Sequence, residues 1–108
     1  MAIAELKGAA IVDMATFHAE SKKAFGFPAD YAGTMDAWID CMSYLRDEDG
    51  MSKFRLFANE ALQIVVLDAD ILREKAPEIL EELTYCVAGL NDRYEDYGEK
   101  PALQLILK

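Results

Sequence analysis

The sequence predicts an α/β domain in which a small three-stranded parallel sheet packs with three to four helices in two layers. Short runs typical of strands lie at residues 3–6, 62–67 and 103–107, near the start, middle and end of the chain. The segments between them carry apolar residues at helical spacing. Because strands separated by helices usually join one sheet through right-handed crossovers, we expect the three strands to run parallel.

The first third of the chain predicts a strand, a helix and a loop. The strand covers residues 3–6 and ends in a turn at residues 7–8. Asp13 suits the N-cap of the first helix, and Gly26 and Pro28 end it. The loop at residues 28–33 is rich in turn-forming residues. The apolar face of the helix is predicted to comprise Met14, Phe17, Ser21, Ala24 and Phe25.

The rest of the chain predicts two more helices and two strands. Thr34 suits the cap of a second helix, from Met35 to about Leu45. Residues 46–50 read as a solvated loop, and residues 51–57 as either a short edge strand or an irregular arm. The β-branched run at 62–67 is typical of a strand buried on both faces. Pro77 suits the first turn of a long helix that reaches roughly Tyr94, and a loop at 97–101 leads to the last strand.

Composition and charge exclude several functions. The chain has 108 residues, which suits one domain over 1–108, and 53% of them are apolar, too many for a disordered chain. The net charge of −9 disfavours nucleic acid and anionic membranes as partners. The sequence shows no leader peptide and no apolar run of membrane-spanning length, so we expect a cytoplasmic protein. Two distant cysteines, Cys41 and Cys86, predict neither a disulfide scaffold nor a metal site, and we expect no cofactor.

The second helix has two chemically different faces. At about 100° per residue, one face is expected to enter the core and the other to face outward. Asp36 and Asp40 are four residues apart, so their carboxylates are neighbours, and like charges at this spacing are unfavourable in a helix. The core face comprises Met35, Trp38, Met42 and Leu45. The outward face comprises Asp36, Ile39, Asp40, Ser43 and Tyr44.

Three interpretations of the aspartate pair compete. The first is an ordinary solvated face, with Asp36 favoured by the helix dipole. The second is acid–base catalysis or metal binding, but the only histidine, His18, lies on another helix, where we expect it on the surface or half-buried. The third is a recognition surface, in which two carboxylates flank an exposed Ile39 and fit a cationic pocket on another protein.

Residues 3–45 resemble the N-terminal half of the barstar family, and the two can be aligned without a gap. The resemblance rests on Phe17-His18, on the loop at 27–31 (FPADY) and above all on the segment at 35–42 (MDAWIDCM). The rest of the chain resembles the family in its order of strand, long helix and strand, with residues 46–60 as an inserted loop or arm. This sequence has Asp30 and Ile39 where the family commonly has tyrosine and tryptophan.

The resemblance implies an inhibitor of a ribonuclease, not an enzyme. In the family, the second helix and the preceding loop enter the active-site cleft of a guanyl-specific ribonuclease. Asp36 and Asp40 would meet the basic and histidine side chains of that cleft. The surrounding contacts would come from Asp30, Tyr31, Thr34, Ile39, Ser43 and Tyr44. The alternative is a barstar-fold module or antitoxin that binds a different partner. We expect a monomer, with a dimer through residues 51–57 as the other option.

Overall fold

The computed structural model describes residues 2–48 and 50–108, and it confirms the predicted α/β fold. The strands β1 (Ala2–Lys7), β2 (Leu62–Leu67) and β3 (Leu103–Leu107) form a parallel sheet in the order β1-β2-β3. Leu6 pairs with Val66, which pairs in turn with Leu107. The helices are α1 (Met14–Phe25), α2 (Met35–Met42), α3 (Ala69–Lys75) and α4 (Pro77–Asp96), with a short 3-10 turn at Gly8–Ala10.

The first helix begins and ends as predicted. The Asp13 carboxylate accepts a hydrogen bond from the Thr16 backbone N–H at 2.9 Å, and the Thr16 hydroxyl accepts one from the Asp13 N–H at 3.1 Å. This reciprocal capping box satisfies donors that a helix start leaves unpaired. Gly26 ends α1 with φ 66°, a left-handed conformation that suits glycine. Phe17, Ser21 and Phe25 of the predicted apolar face are buried, whereas Met14, in the first turn of α1, is exposed.

Helix α2 is shorter than predicted. It ends at Met42 instead of about Leu45. The hydroxyl of buried Tyr94 on α4 donates to the Met42 carbonyl at 2.8 Å and accepts from the Leu45 N–H at 3.3 Å. The Ser43 hydroxyl also donates to the Ile39 carbonyl at 2.6 Å. These side chains form hydrogen bonds with backbone groups that a further helical turn would have paired with each other. The helix therefore ends here, and the chain changes direction.

Helix α3 was not predicted from the sequence. It has seven residues and buries only Ala69 and Leu72, too few positions to create a recognisable periodicity. Asp68, which precedes it, adopts φ 51°. Helix α4 begins at Pro77 as predicted and continues to Asp96. In the described part of the chain, no helix combines the length and the apolar character that a membrane span requires.

Residues 51–57 form an irregular arm and not an edge strand. The Lys53 N–H donates to the Phe25 carbonyl at 2.9 Å, and the Leu56 N–H donates to the Leu45 carbonyl at 2.8 Å. Leu56 is buried, whereas Phe57 is 82% exposed. The arm is therefore held against the last residue of α1 and the turn after α2, because its backbone N–H groups bond to carbonyls there instead of to a neighbouring strand.

Candidate protein-binding surface

Trp38 fixes the orientation of α2. Its side chain is 0% exposed and lies with ring centroids 6.1 Å from Phe17 and 6.0 Å from Phe25 of α1. Its indole N–H donates to the hydroxyl of buried Ser21 at 3.2 Å, so no polar atom of the ring is left unpaired. Because the tryptophan holds one side of the helix against α1, the opposite side is presented to solvent, as predicted.

The outward side of α2 carries the two predicted carboxylates. Asp36 and Asp40 are both exposed, and neither lies under residues 51–57. Thr34 caps the helix by accepting a hydrogen bond from the Ala37 N–H at 3.1 Å. Asp36 lies in the first turn, where the helix dipole favours an anion. Helix stability by itself therefore accounts for a carboxylate at position 36.

Asp40 occupies a position that helix stability does not favour. It lies near the C-terminal end of α2, where the helix dipole disfavours an anion, and it is four residues from Asp36. Among the residues that the structure describes, neither aspartate has a cationic side chain within ion-pair distance. The negative charge of the two carboxylates is thus exposed to solvent, and no described residue of the protein forms an ion pair with it.

The loop before α2 is held against α1 by its aromatic side chains. Phe27 is buried and packs on Phe25 and Tyr31, with ring centroids 5.4 Å and 4.8 Å apart. The Tyr31 hydroxyl and His18 Nδ1 share a hydrogen bond of 2.7 Å. His18 is only 6% exposed, so the expectation of a surface or half-buried histidine is wrong. Burial lowers its pKa, which keeps the ring neutral beside the hydroxyl.

Tyr31 is half-buried, and its hydroxyl is occupied by His18, so much of this side chain serves to position the loop. Burial, and after it the neighbouring Cys41, raises the pKa of Tyr31. Asp30, the next residue along the loop, is exposed. Burial raises the pKa of the Cys41 thiol, and the charges of Asp40 and Asp30 raise it further. The charges of the loop residue Asp30 and the helix residue Asp40 thus both act on the same thiol.

Ile39 is less exposed than predicted. It is half-buried and lies at the edge of a shallow groove of about 190 Å³ between α2 and α4. Gly89 on α4 forms part of the groove, and a Cβ added there would meet nothing within 4 Å. Packing therefore does not require a glycine at this position. The other groove residues are Tyr85, Cys86, Leu90 and Arg93.

The C-terminal end of α2 meets α4 through a side chain that the sequence did not indicate. Arg93 donates from Nη1 to the Ser43 hydroxyl at 3.3 Å. Tyr44, the next residue, is 44% exposed. Asp36, Ile39, Asp40 and Ser43 recur at helical spacing on the outward side of α2 and its C-cap. Thr34 caps the start of the helix, and the exposed residues Asp30 and Tyr44 lie in the chain before and after it. Arg93 joins them because α4 packs beside α2.

In the described parts of the chain, the two aspartates of α2 lie outside the main surface pockets. Neither Asp36 nor Asp40 lines any of five surface pockets found there. Within residues 2–48 and 50–108, no three His, Cys, Asp or Glu side chains converge in a geometry that could hold a metal ion. A projecting helix with paired carboxylates suits contact with a concave, cationic surface.

Comparison with known proteins identifies the family. A protein-family model described as Barstar (barnase inhibitor) matches residues 1–106, essentially the whole chain. No curated protein matches the sequence. Because the match covers nearly every residue and the structure has the corresponding α/β fold, the chain belongs to the barstar family.

Proposed function

From membership in the barstar family, we propose that this protein inhibits a guanyl-specific ribonuclease by inserting the outward side of α2 into its basic active-site cleft. Asp36 and Asp40 would pair there with the cationic side chains that bind RNA phosphates. Asp30, Tyr31, Thr34, Ile39, Ser43 and Tyr44 would surround them. The protein would act in the cytoplasm, as an immunity or self-protection protein against the enzyme.

The observation that carries this proposal is the position of Asp40. It is exposed, lies near the unfavourable end of the helix dipole and neighbours Asp36. A stability argument favours almost any neutral side chain there. A binding argument favours the carboxylate, because a ribonuclease cleft must hold a polyanion and supplies charge-assisted donors to another anion. The net charge of −9 further supports attraction towards a cationic enzyme.

Titration of barnase with this protein tests the proposal, with cleavage of a guanosine-containing RNA as the readout. The wild-type protein should suppress cleavage, and Asp40→Asn should weaken inhibition about tenfold or more, because a charge-assisted contact is lost. Asp70→Asn is the matched control, since it removes the same charge from an exposed position on α3. Equal effects of the two substitutions, or no inhibition by the wild-type protein, would contradict the proposal.

A second candidate function is binding of a partner that is not a ribonuclease. Ile39 favours it, because this half-buried aliphatic side chain stands where the family commonly has a large aromatic contact. Affinity purification with wild-type protein and with Asp40→Asn as bait separates the two functions. A ribonuclease recovered only by the wild-type bait supports inhibition. A non-nuclease protein recovered with the same dependence on Asp40 supports the alternative.

A further inference from the structure

The pocket beyond the C-terminal end of α2 combines aromatic and cationic side chains. It has a volume of about 250 Å³ and lies between the turn after α2 and the last turns of α4. Tyr44 and Tyr97 expose 44% and 78% of their surfaces, and Tyr94 forms the buried wall. Tyrosine and arginine are enriched among residues that dominate protein interfaces. The two cations of this pocket, Arg46 and Arg93, differ in how they are used.

Arg46 is committed to the fold. Its side chain is 8% exposed and makes an ion pair with Glu99 at 3.2 Å. Its two terminal nitrogens also donate to the carbonyls of Lys100 at 2.7 Å and Glu60 at 2.9 Å. The guanidinium lies 5.4 Å from the Tyr94 ring centroid. Because its terminal nitrogens are occupied and its charge is balanced by Glu99, Arg46 contributes little to an external contact.

Arg93 is available to a partner. It is exposed, and the only described hydrogen bond of its guanidinium is the one to the Ser43 hydroxyl. Within residues 2–48 and 50–108, no carboxylate lies at ion-pair distance from it. Ser43 is itself fixed by its bond to the Ile39 carbonyl, so the guanidinium is positioned at the end of α2. Five N–H donors in a planar fork suit a carboxylate particularly well.

Arg93 is part of the same surface as the acidic residues. It borders both the pocket near Tyr44 and the groove that contains Ile39. Asp36 lies one turn before Ile39 on the same side of α2, and Ser43 lies one turn after it. Asp36 and Ser43 are seven positions apart, which corresponds to about 10 Å along a helix. A partner that covers Asp36, Ile39 and Asp40 therefore also reaches Arg93.

We propose that Arg93 is a specificity-determining contact that selects ribonucleases with an acidic side chain on the rim of their basic cleft. The proposal rests on the proposed function. The partner carboxylate would bind the Arg93 guanidinium, with the exposed phenols of Tyr44 and Tyr97 beside it. Asp47, on the wall of the same pocket, would oppose the incoming carboxylate.

If net charge alone determined the affinity, substitutions of Arg93 and Asp47 would have the opposite effects on binding. Against a uniformly cationic partner, removing Arg93 should strengthen binding, because a like charge is removed from the interface. Neutralising Asp47 should weaken it. If the partner has an acidic residue opposite Arg93, both affinity changes reverse in sign. Removing Arg93 then weakens binding because an attractive contact is lost, and neutralising Asp47 strengthens it because a repulsion is relieved. The sign of the change therefore separates a specific contact from bulk electrostatics.

The test uses barnase and a panel of barnase variants in which each basic residue around the cleft rim is changed singly to glutamate. Affinities are measured for the wild-type protein, Arg93→Gln and Asp47→Asn. Glutamine keeps an N–H donor for Ser43 while it removes the charge, and thermal unfolding of each variant checks the fold. Arg73→Gln is the control, since it removes an exposed positive charge from α3.

At least one rim variant should bind the wild-type protein about tenfold more tightly than unmodified barnase, because it gains a charge-assisted contact. The gain should vanish with Arg93→Gln, persist with Arg73→Gln and increase with Asp47→Asn. The proposal is overturned if every glutamate on the rim weakens binding to wild-type protein as much as to Arg93→Gln. If neither barnase nor any variant binds and Asp40→Asn changes nothing, the proposed function itself fails, and this inference with it.

Discussion

Trp38 and Asp40 are two residues apart in α2, yet they meet opposite physical requirements. Trp38 is fully buried between aromatic rings, with its single polar atom hydrogen bonded to Ser21. Asp40 is exposed at the end of the helix where an anion is disfavoured. The inner side of α2 is therefore explained by the stability of the fold. The outer side is not, and a residue that costs stability without a structural return indicates a role in binding.

The largest expected effect is on the inner side. Trp38→Ala should lower the free energy of unfolding by about 3–5 kcal/mol, because it opens a large cavity beside Phe17 and Phe25. Urea denaturation measures the change. A loss below about 1 kcal/mol, the size expected for an unremarkable substitution, would mean that the aromatic packing does not hold α2 in place.

The next effect concerns the end of α2. Tyr94→Phe removes the hydroxyl that bonds the Met42 carbonyl and the Leu45 N–H, and leaves both groups without that partner. The free energy of unfolding should fall by about 1–3 kcal/mol. Tyr85→Phe is the matched control, because Tyr85 lies on the same helix and is 78% exposed. Similar losses in both variants would show that Tyr94 does not determine where α2 ends.

A smaller effect should appear on changing pH. Burial holds the pKa of His18 below its usual value of 6.5, so the unfolded chain binds a proton more readily than the native protein. The stability that comes from neutral His18 is complete above pH 6.5 and is lost as pH falls through the native pKa. Unfolding measured between pH 7 and 5 should therefore show a decline, which His18→Asn reduces. The chain has one histidine, so a decline of equal slope in both proteins would contradict the assignment.

The smallest expected effect is on the outer side, and it has the opposite sign. Asp40→Asn should raise the free energy of unfolding by about 0.2–0.5 kcal/mol, because it relieves repulsion from Asp36. Asp36→Asn relieves the same repulsion but loses a favourable interaction with the helix dipole, so its net effect should be close to zero. Thermal unfolding at low salt resolves the difference. A clear loss of stability in Asp40→Asn would remove the contrast between the two sides of α2.

The features that the sequence determined are those encoded within a few residues. The β-branched run at 62–67, the Asp13 cap with Gly26 and the Thr34 cap each identify an element from local chemistry. Helical spacing alone separates Trp38 from Asp36 and Asp40, because residues on one face recur every three or four positions. The fold class and the acidic side of α2 could therefore be predicted without coordinates.

The remaining features depend on residues that are distant in the chain. Tyr94 ends α2 from about fifty residues away, and Arg93 reaches Ser43 over a similar separation. His18 is buried because Tyr31 folds back onto α1. No local pattern encodes these contacts, since they exist only once the helices pack side by side. The sequence determined which side of α2 carries charge, and only the tertiary structure decided where that helix ends and that an arginine lies beside it.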